Sequence, residues 1–158
     1  MKIKSVFQEY NSLDDLTPEE VQLIENAISS SQKAYAPYSN FKVGAALRLT
    51  NNEIIQGNNQ ENAAYPSGLC AERIAVFYAN AQYPDTAILS LAITARKNNK
   101  IVKQPITPCG SCLQVLLETE KRFGQKIEII LYGEDKILKA SKVEQFLPMN
   151  FDRESLEE

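Results

Sequence analysis

Hydrophobic residues recur along the chain with two different periods, and each change of period marks a boundary between elements. Val21, Ile24, Ala27 and Ile28 fall at helical spacing behind Thr17-Pro18-Glu19-Glu20. Thr17 can cap there, Pro18 suits the first helical position and Glu20 can bond back to the cap amide, which predicts a helix to about Lys33. Tyr35-Ala36-Pro37-Tyr38-Ser39-Asn40 breaks the pattern, since proline forces Ala36 toward extended geometry. From Phe41 the period drops to two: Phe41, Val43, Ala45, Leu47 and Leu49 form one face of a half-buried strand. Asn51-Asn52 reads as a tight turn into a second strand around Glu53 to Gln56, so that the two pair as a hairpin.

Residues 57–68 have little apolar periodicity and hold Asn58, Asn59, Glu61, Asn62, Tyr65 and Pro66, a density of hydrogen-bonding groups typical of recognition loops. A helix from about Cys70 to Ala81 follows, with Ile74, Phe77, Tyr78 and Ala81 on one side. Ala87 to Thr94 is nearly continuous in apolar residues, as a central strand buried on both faces should be. Lys97 to Lys100 is a solvated turn. A third helix should begin near Cys109 and end at Gly124. Lys126 to Leu131 and Lys136 to Lys139 read as strands, and Ser141 can cap a short helix through Val143 and Phe146. Residues 1–15 look like a loose, flexible arm and residues 152–158 like an acidic tail on a single domain spanning 1–158. The order predicts an α/β fold with a mixed sheet of about five strands and helices packed on it.

Composition narrows the function. A chain of 158 residues can bury a proper core, and 44% hydrophobic with 23% charged residues is ordinary for a soluble protein. No apolar run approaches the length of a membrane span, and Met1 to Phe7 lacks the apolar centre of a signal peptide, so a cytoplasmic location and no membrane partner are expected. The formal charge of −3 gives no broad basic footprint for a phosphate backbone, which disfavours a nucleic-acid partner.

Three cysteines and no histidine restrict the metal chemistry. An odd count suits thiols rather than a disulfide framework. Cys109 and Cys112, three apart at a helix start, lie on one face and can hold a metal together, with Cys70 as the third ligand. Both helix starts favour thiolate, and zinc suits a soft thiolate set. With no fourth cysteine and no histidine the fourth position stays open, for a water whose pKa zinc lowers. Arg73 and the two helix starts are the candidates to offset three thiolates. Glu72, two positions from a ligand, can reach that water and move its protons, which suits hydrolysis at a carbon bearing an amino group.

Cys70-Ala71-Glu72-Arg73 and Pro108-Cys109-Gly110-Ser111-Cys112 resemble the motifs of the zinc-dependent cytidine deaminases, specifically the short, homotetrameric type. So do Tyr35 to Ser39, Phe41 to Leu47 and Asn59 to Tyr65; the likeness runs from about Tyr35 to Phe151. The resemblance implies a three-layer α/β/α fold with helices on both faces of the sheet and one zinc ion (Zn2+) per chain. It implies that Glu72 protonates ring N3 of cytidine or deoxycytidine and carries a second proton to the leaving ammonia. Arg73 would hydrogen-bond the zinc thiolates, Asn59 and Glu61 would bind the ribose 3′-hydroxyl, Phe41 would pack on the pyrimidine and the Ala71 backbone would help read the base. Phe151 would reach a neighbouring subunit's pocket, implying a homo-oligomer, usually a tetramer. Leu113 departs from the family, many of whose members carry arginine after the last cysteine.

Each of these residues also has a plainer reading. Cys70 alone would be a small buried hydrophobe, and Cys109 with Cys112 alone would suggest a redox pair. Glu72 and Arg73 could be solvated helix charges, Asn59 and Glu61 could order their loop, and Phe41 and Phe151 could belong to the chain's own core. The alternatives at the level of function are a deaminase of another cytosine nucleoside (a blasticidin-S-like antibiotic, for example) and a zinc-stabilised binding module without turnover.

Overall fold

The computed structural model describes residues 1–156; Glu157 and Glu158, at the end of the expected acidic tail, lie outside the described residues. The elements are β1 (Gln8–Tyr10), α1 (Pro18–Gln32), β2 (Phe41–Leu49), β3 (Ile54–Asn58), α2 (Ala71–Gln82), β4 (Ile88–Lys97), β5 (Lys100–Ile101), α3 (Gly110–Phe123), β6 (Glu128–Tyr132) and β7 (Ile137–Ala140). The strands form one mixed sheet in the order β1-β7-β6-β4-β2-β3, with β5 paired to β4. β4 and β6 run parallel and every other pair is antiparallel.

Strand alternation divides the core between two faces. Ala45, Leu47, Leu49, Leu91, Ile93, Ile129 and Leu131 point to the side covered by α2 and α3. Ala46, Ala92 and Ile130, displaced by one residue, meet Leu23, Ile24 and Ala27 of α1 on the other. The result is the expected α/β/α sandwich. The central strand falls where the apolar run placed it, between β6 and β2. Thr17 and Glu20 form the expected reciprocal cap on α1, and Gly124 ends α3 at φ 61°.

Sequence pattern and structure part in four places. The sheet has seven strands rather than about five, because two short segments join its margins. Gln8–Tyr10, inside the arm expected to be loose, pairs with β7; Phe7 packs edge-on against Phe146 at 5.0 Å. Lys100–Ile101 extends the Asn98-Asn99 turn into a small hairpin, both asparagines adopting positive φ. α2 is turned on its axis relative to the apolar stripe: Ala71, Ala75, Val76 and Ala79 face the core, whereas Phe77 and Tyr78 are exposed. Small residues win that face because α2 lies against the backbone of β3, where a Cβ added to Gly57 would stand 2.3 Å from the Ala71 carbonyl oxygen. Lastly, the turn after β7 is a single 3₁₀ turn, Val143–Gln145, with Lys142 rather than Ser141 at its cap.

Candidate active site

Two helix starts meet at one end of this sandwich. Cys70 is the N-cap of α2 and Cys109 the N-cap of α3, both in extended backbone geometry, and Cys112 lies in the first turn of α3. Cysteine is a poor cap compared with serine, threonine or aspartate, so neither helix gains the usual side-chain bond to its free amides. Instead the sulfurs sit against the positive ends of two helices.

The Sγ atoms of Cys70 and Cys109 are 3.8 Å apart, those of Cys109 and Cys112 are 3.5 Å apart, and all three lie within 4.8 Å of one another. Thiolates around a tetrahedral zinc at about 2.3 Å would stand about 3.8 Å from each other, so the donor set fits the ion in both softness and spacing. Only three protein sulfurs converge, which leaves the fourth direction for a small ligand. The Arg73 guanidinium donates to Cys70 Sγ at 3.7 Å, while its Nε is buried without a partner. Among the sulfurs themselves, the hydrogen bond from Cys112, with help from Arg73 and Cys109, draws the Cys70 thiol down to about 5. The bond shared with Cys70, and then burial, push the Cys112 thiol above its ordinary range.

Glu72, the second residue of α2, is 4% exposed. Burial pushes its carboxyl up to about 7, and the negative charge of Cys70 adds to the rise. A carboxyl so deeply buried beside three sulfurs is an unusual thing for a helix start to carry.

A cavity of about 550 Å³ opens from Cys70 and Arg73 along the 59–69 loop. Asn59 and Glu61 line it, together with Tyr38, Ser39, Tyr65 and Leu69. The Asn59 amide bridges the start of β2, donating to the Phe41 carbonyl at 2.9 Å and accepting from the Val43 N–H at 2.8 Å. Glu61 accepts from the Tyr38 and Ser39 amides at 2.9 and 3.3 Å and from the Ser39 hydroxyl. Phe41, Ala71 and Glu72 are not part of this wall: Phe41 is half-buried at the start of β2, and Ala71 and Glu72 are buried in the first turn of α2. Phe151 stands apart on the C-terminal segment, 59% exposed, with its carbonyl accepting from Gln114 of α3. Leu113 is buried in the core beside α2.

Residues 35–40 contribute more to this wall than their sequence suggests. Pro37 and the Asn40 turn, at φ 52°, aim the Tyr38 and Ser39 amides at Glu61. The sequence signal was the break in pattern there, which by itself identifies a turn and not its target.

Three sulfurs arranged for one metal, one short of a closed tetrahedral set among the described residues, with a buried carboxyl beside them, are the parts of a metal-dependent hydrolytic centre. Comparison with known proteins assigns it: the chain belongs to the family described as the cytidine and deoxycytidylate deaminase zinc-binding region, whose model matches residues 18–124. A cytidine deaminase of Halalkalibacterium halodurans is 42% identical over 96 residues, covering 61% of this chain and 68% of that protein. One of Sporosarcina psychrophila is 33% identical over 135 residues, covering 85% of this chain and 93% of that protein. A crystal structure of cytidine deaminase from Burkholderia pseudomallei superposes with a TM-score of 0.70 at 35% identity, covering 86% of this chain and all of that one, 100%. Among the described residues no helix is long and apolar enough to cross a membrane.

Proposed function

We propose that the protein catalyses the hydrolytic deamination of cytidine and 2′-deoxycytidine to uridine and 2′-deoxyuridine, releasing ammonia, with Glu72 as the group that moves the protons. The observation that carries this reading is Glu72 itself: an almost fully buried carboxyl two residues from Cys70, whose burial favours its protonated form, is placed to take up and release a proton beside the sulfur cluster.

Cys70, Cys109 and Cys112 hold one zinc per chain. Bound there, zinc supplies a Lewis acid that makes a water acidic enough to attack at neutral pH. Glu72 would accept one proton of that water and deliver it to ring N3, so that the water oxygen bonds to C4. It would then move the remaining proton of the new C4 hydroxyl to the amino group, whose bond to C4 breaks to release ammonia while the C4 oxygen becomes the carbonyl of uridine. Arg73 offsets the charge of the thiolates through its contact with Cys70.

The sugar lies toward Asn59 and Glu61, whose side chains face the cavity that starts at Cys70. Phe41 packs on the pyrimidine and the Ala71 backbone reads the base. The cavity volume suits a nucleoside. An acidic chain offers little to a polynucleotide. Phe77, Tyr78, Met149 and Phe151 are exposed apolar residues that assembly would cover, in keeping with a homotetramer in which Phe151 enters a neighbour's pocket. The whole chain serves as one cytoplasmic domain.

The test is the fall in ultraviolet absorbance on mixing zinc-analysed protein with cytidine, deoxycytidine and free cytosine in parallel. Turnover of both nucleosides supports the reading. No turnover with about one zinc per chain present would sink it and point to another cytosine nucleoside or to a binding module. Glu72→Gln should keep the zinc and lose turnover by about 10³-fold, whereas a binding module would be indifferent to it.

A further inference from the structure

We propose that Ser39 is a positioning residue for the sugar end of the substrate, holding the Glu61 carboxylate in the orientation that meets the ribose hydroxyl. The proposal rests on the reading of Glu61 as a sugar contact and adds to it the residue through which that contact is fixed.

The geometry is a short relay. The Phe41 N–H donates to Ser39 Oγ at 3.1 Å, which fixes the hydroxyl and aims its own proton at Glu61 Oε1. The other carboxylate oxygen, Oε2, takes the Tyr38 and Ser39 amides at 2.9 and 3.3 Å. Both oxygens are thus held by one turn; the two amides fill Oε2, and one acceptor site on Oε1 is left for the cavity that Ser39 and Glu61 line together. Without the hydroxyl, Oε1 has no partner and the carboxylate can swing about the two amides. The Ser39 hydroxyl is also the first cause, ahead of the amides, of a Glu61 carboxyl held below its ordinary range.

Apart from the Phe41 N–H, the backbone around this relay is held by bonds that bypass the Ser39 hydroxyl. Tyr35 N–H to the Asn59 carbonyl at 3.0 Å and Glu61 N–H to the Tyr35 carbonyl at 2.9 Å tie the two segments together. Asn40 N–H to the Ala36 carbonyl at 3.1 Å closes the turn. Removing the hydroxyl should therefore disturb an orientation and leave the fold intact.

The experiment measures kcat and KM for cytidine and for 3′-deoxycytidine, which lacks the hydroxyl that Glu61 would meet, in Ser39→Ala, Ser39→Thr, Glu61→Ala and the double variant. The ratio of the two KM values within one preparation does not depend on how much protein is folded. Ser39→Ala should raise KM for cytidine roughly tenfold, the scale of one hydrogen bond to a charged group, with kcat within about twofold and KM for 3′-deoxycytidine unchanged. Ser39→Thr, which keeps the hydroxyl, should return KM to within about twofold of the parent. In the Glu61→Ala background Ser39→Ala should add nothing, because Ser39 acts through that carboxylate.

Equal KM changes for both substrates, or a Ser39→Ala effect that persists without Glu61, would overturn the proposal. If Glu61→Ala discriminates between the substrates and Ser39→Ala does not, the Glu61 reading stands and the role of Ser39 falls. If Glu61→Ala treats the two substrates alike, the sugar contact itself fails and the Ser39 role fails with it.

Discussion

Gly57→Ala is the substitution that most directly asks whether the packing of α2 positions the chemistry. The added Cβ would lie 2.3 Å from the Ala71 carbonyl oxygen, 2.7 Å from the Ala75 amide nitrogen and 3.0 Å from the Ala75 Cβ. Ordinary contacts sit near 3.5 Å, so relief requires a relative shift of about 1 Å between β3 and α2. The clash is with backbone and with a short side chain, and no flexible tip can move aside. Overpacking of this kind costs about 1–3 kcal/mol, or about 2–4 °C of melting temperature per kcal/mol for a chain of this size. The carbonyl that must move belongs to the residue between Cys70 and Glu72, so the Cys70 sulfur and the Glu72 carboxyl move with it. A displacement of about 1 Å in catalytic geometry can cost about 10²-fold in rate.

The control lies on the other face. A Cβ on Gly44 would stand 2.0 Å from the Ala27 carbonyl oxygen and 2.5 Å from the Ser31 amide nitrogen, a similar clash against α1, which carries none of the candidate site residues. Thermal unfolding, zinc content and kcat/KM for cytidine should then separate the two variants. Both should lose comparable stability, but only Gly57→Ala should lose about 10²-fold in kcat/KM per zinc-loaded molecule. Parental turnover in Gly57→Ala, or an equal loss in Gly44→Ala, would refute the argument.

Two further outcomes are expected. Chelation should abolish turnover and lower the melting temperature by about 10 °C, both restored by zinc, because the ion ties together two helix starts far apart in sequence; an unchanged melting temperature would mean that the sulfurs hold nothing. Lys139→Met should cost about 1 kcal/mol in urea unfolding at pH 7, because Lys139 Nζ lies between the half-buried Glu20 and Glu128, 3.4 Å from the latter. Burial works to raise Glu20, but Lys139 and Thr17 outweigh it and hold the carboxyl below its ordinary value. That share of the stability is present above about pH 4.5 and disappears as pH falls through the folded value, so parent and variant should converge toward pH 3; a gap of equal size there would contradict the reading.

The elements were legible wherever one period persisted. α1, with its Thr17 and Glu20 cap, and β2, with its strict alternation, read correctly because local preference and tertiary burial agree there. β4 read as central because only a strand covered on both faces tolerates a continuous apolar run. The two missed strands are three and two residues long, too short to carry a period, and both are made by their partners. α2 was misread on its orientation because size was taken for burial: Phe77 and Tyr78 look like a core stripe, but a helix pressed onto Gly57 can bury only the alanine face. In the site, cysteine spacing and Glu72 were visible in one dimension. The wall contributed by Tyr38 and Ser39 was not, since it depends on where a turn aims its amides.

The two N-caps tie these threads together. Placing Cys70 and Cys109 at cap positions gives up about 1 kcal/mol of ordinary capping at each helix. Both sulfurs sit instead at the positive ends of two helices, surroundings in which a thiolate is stabilised. A histidine-free ligand set needs that help, because three thiolates carry more negative charge than a set containing imidazole. The same placement puts Glu72 in the first turn of α2, two residues from Cys70 and buried, on the helix that packs against Gly57. Metal affinity, carboxyl burial and helix packing are therefore one arrangement, and a change at β3 should be felt in all three.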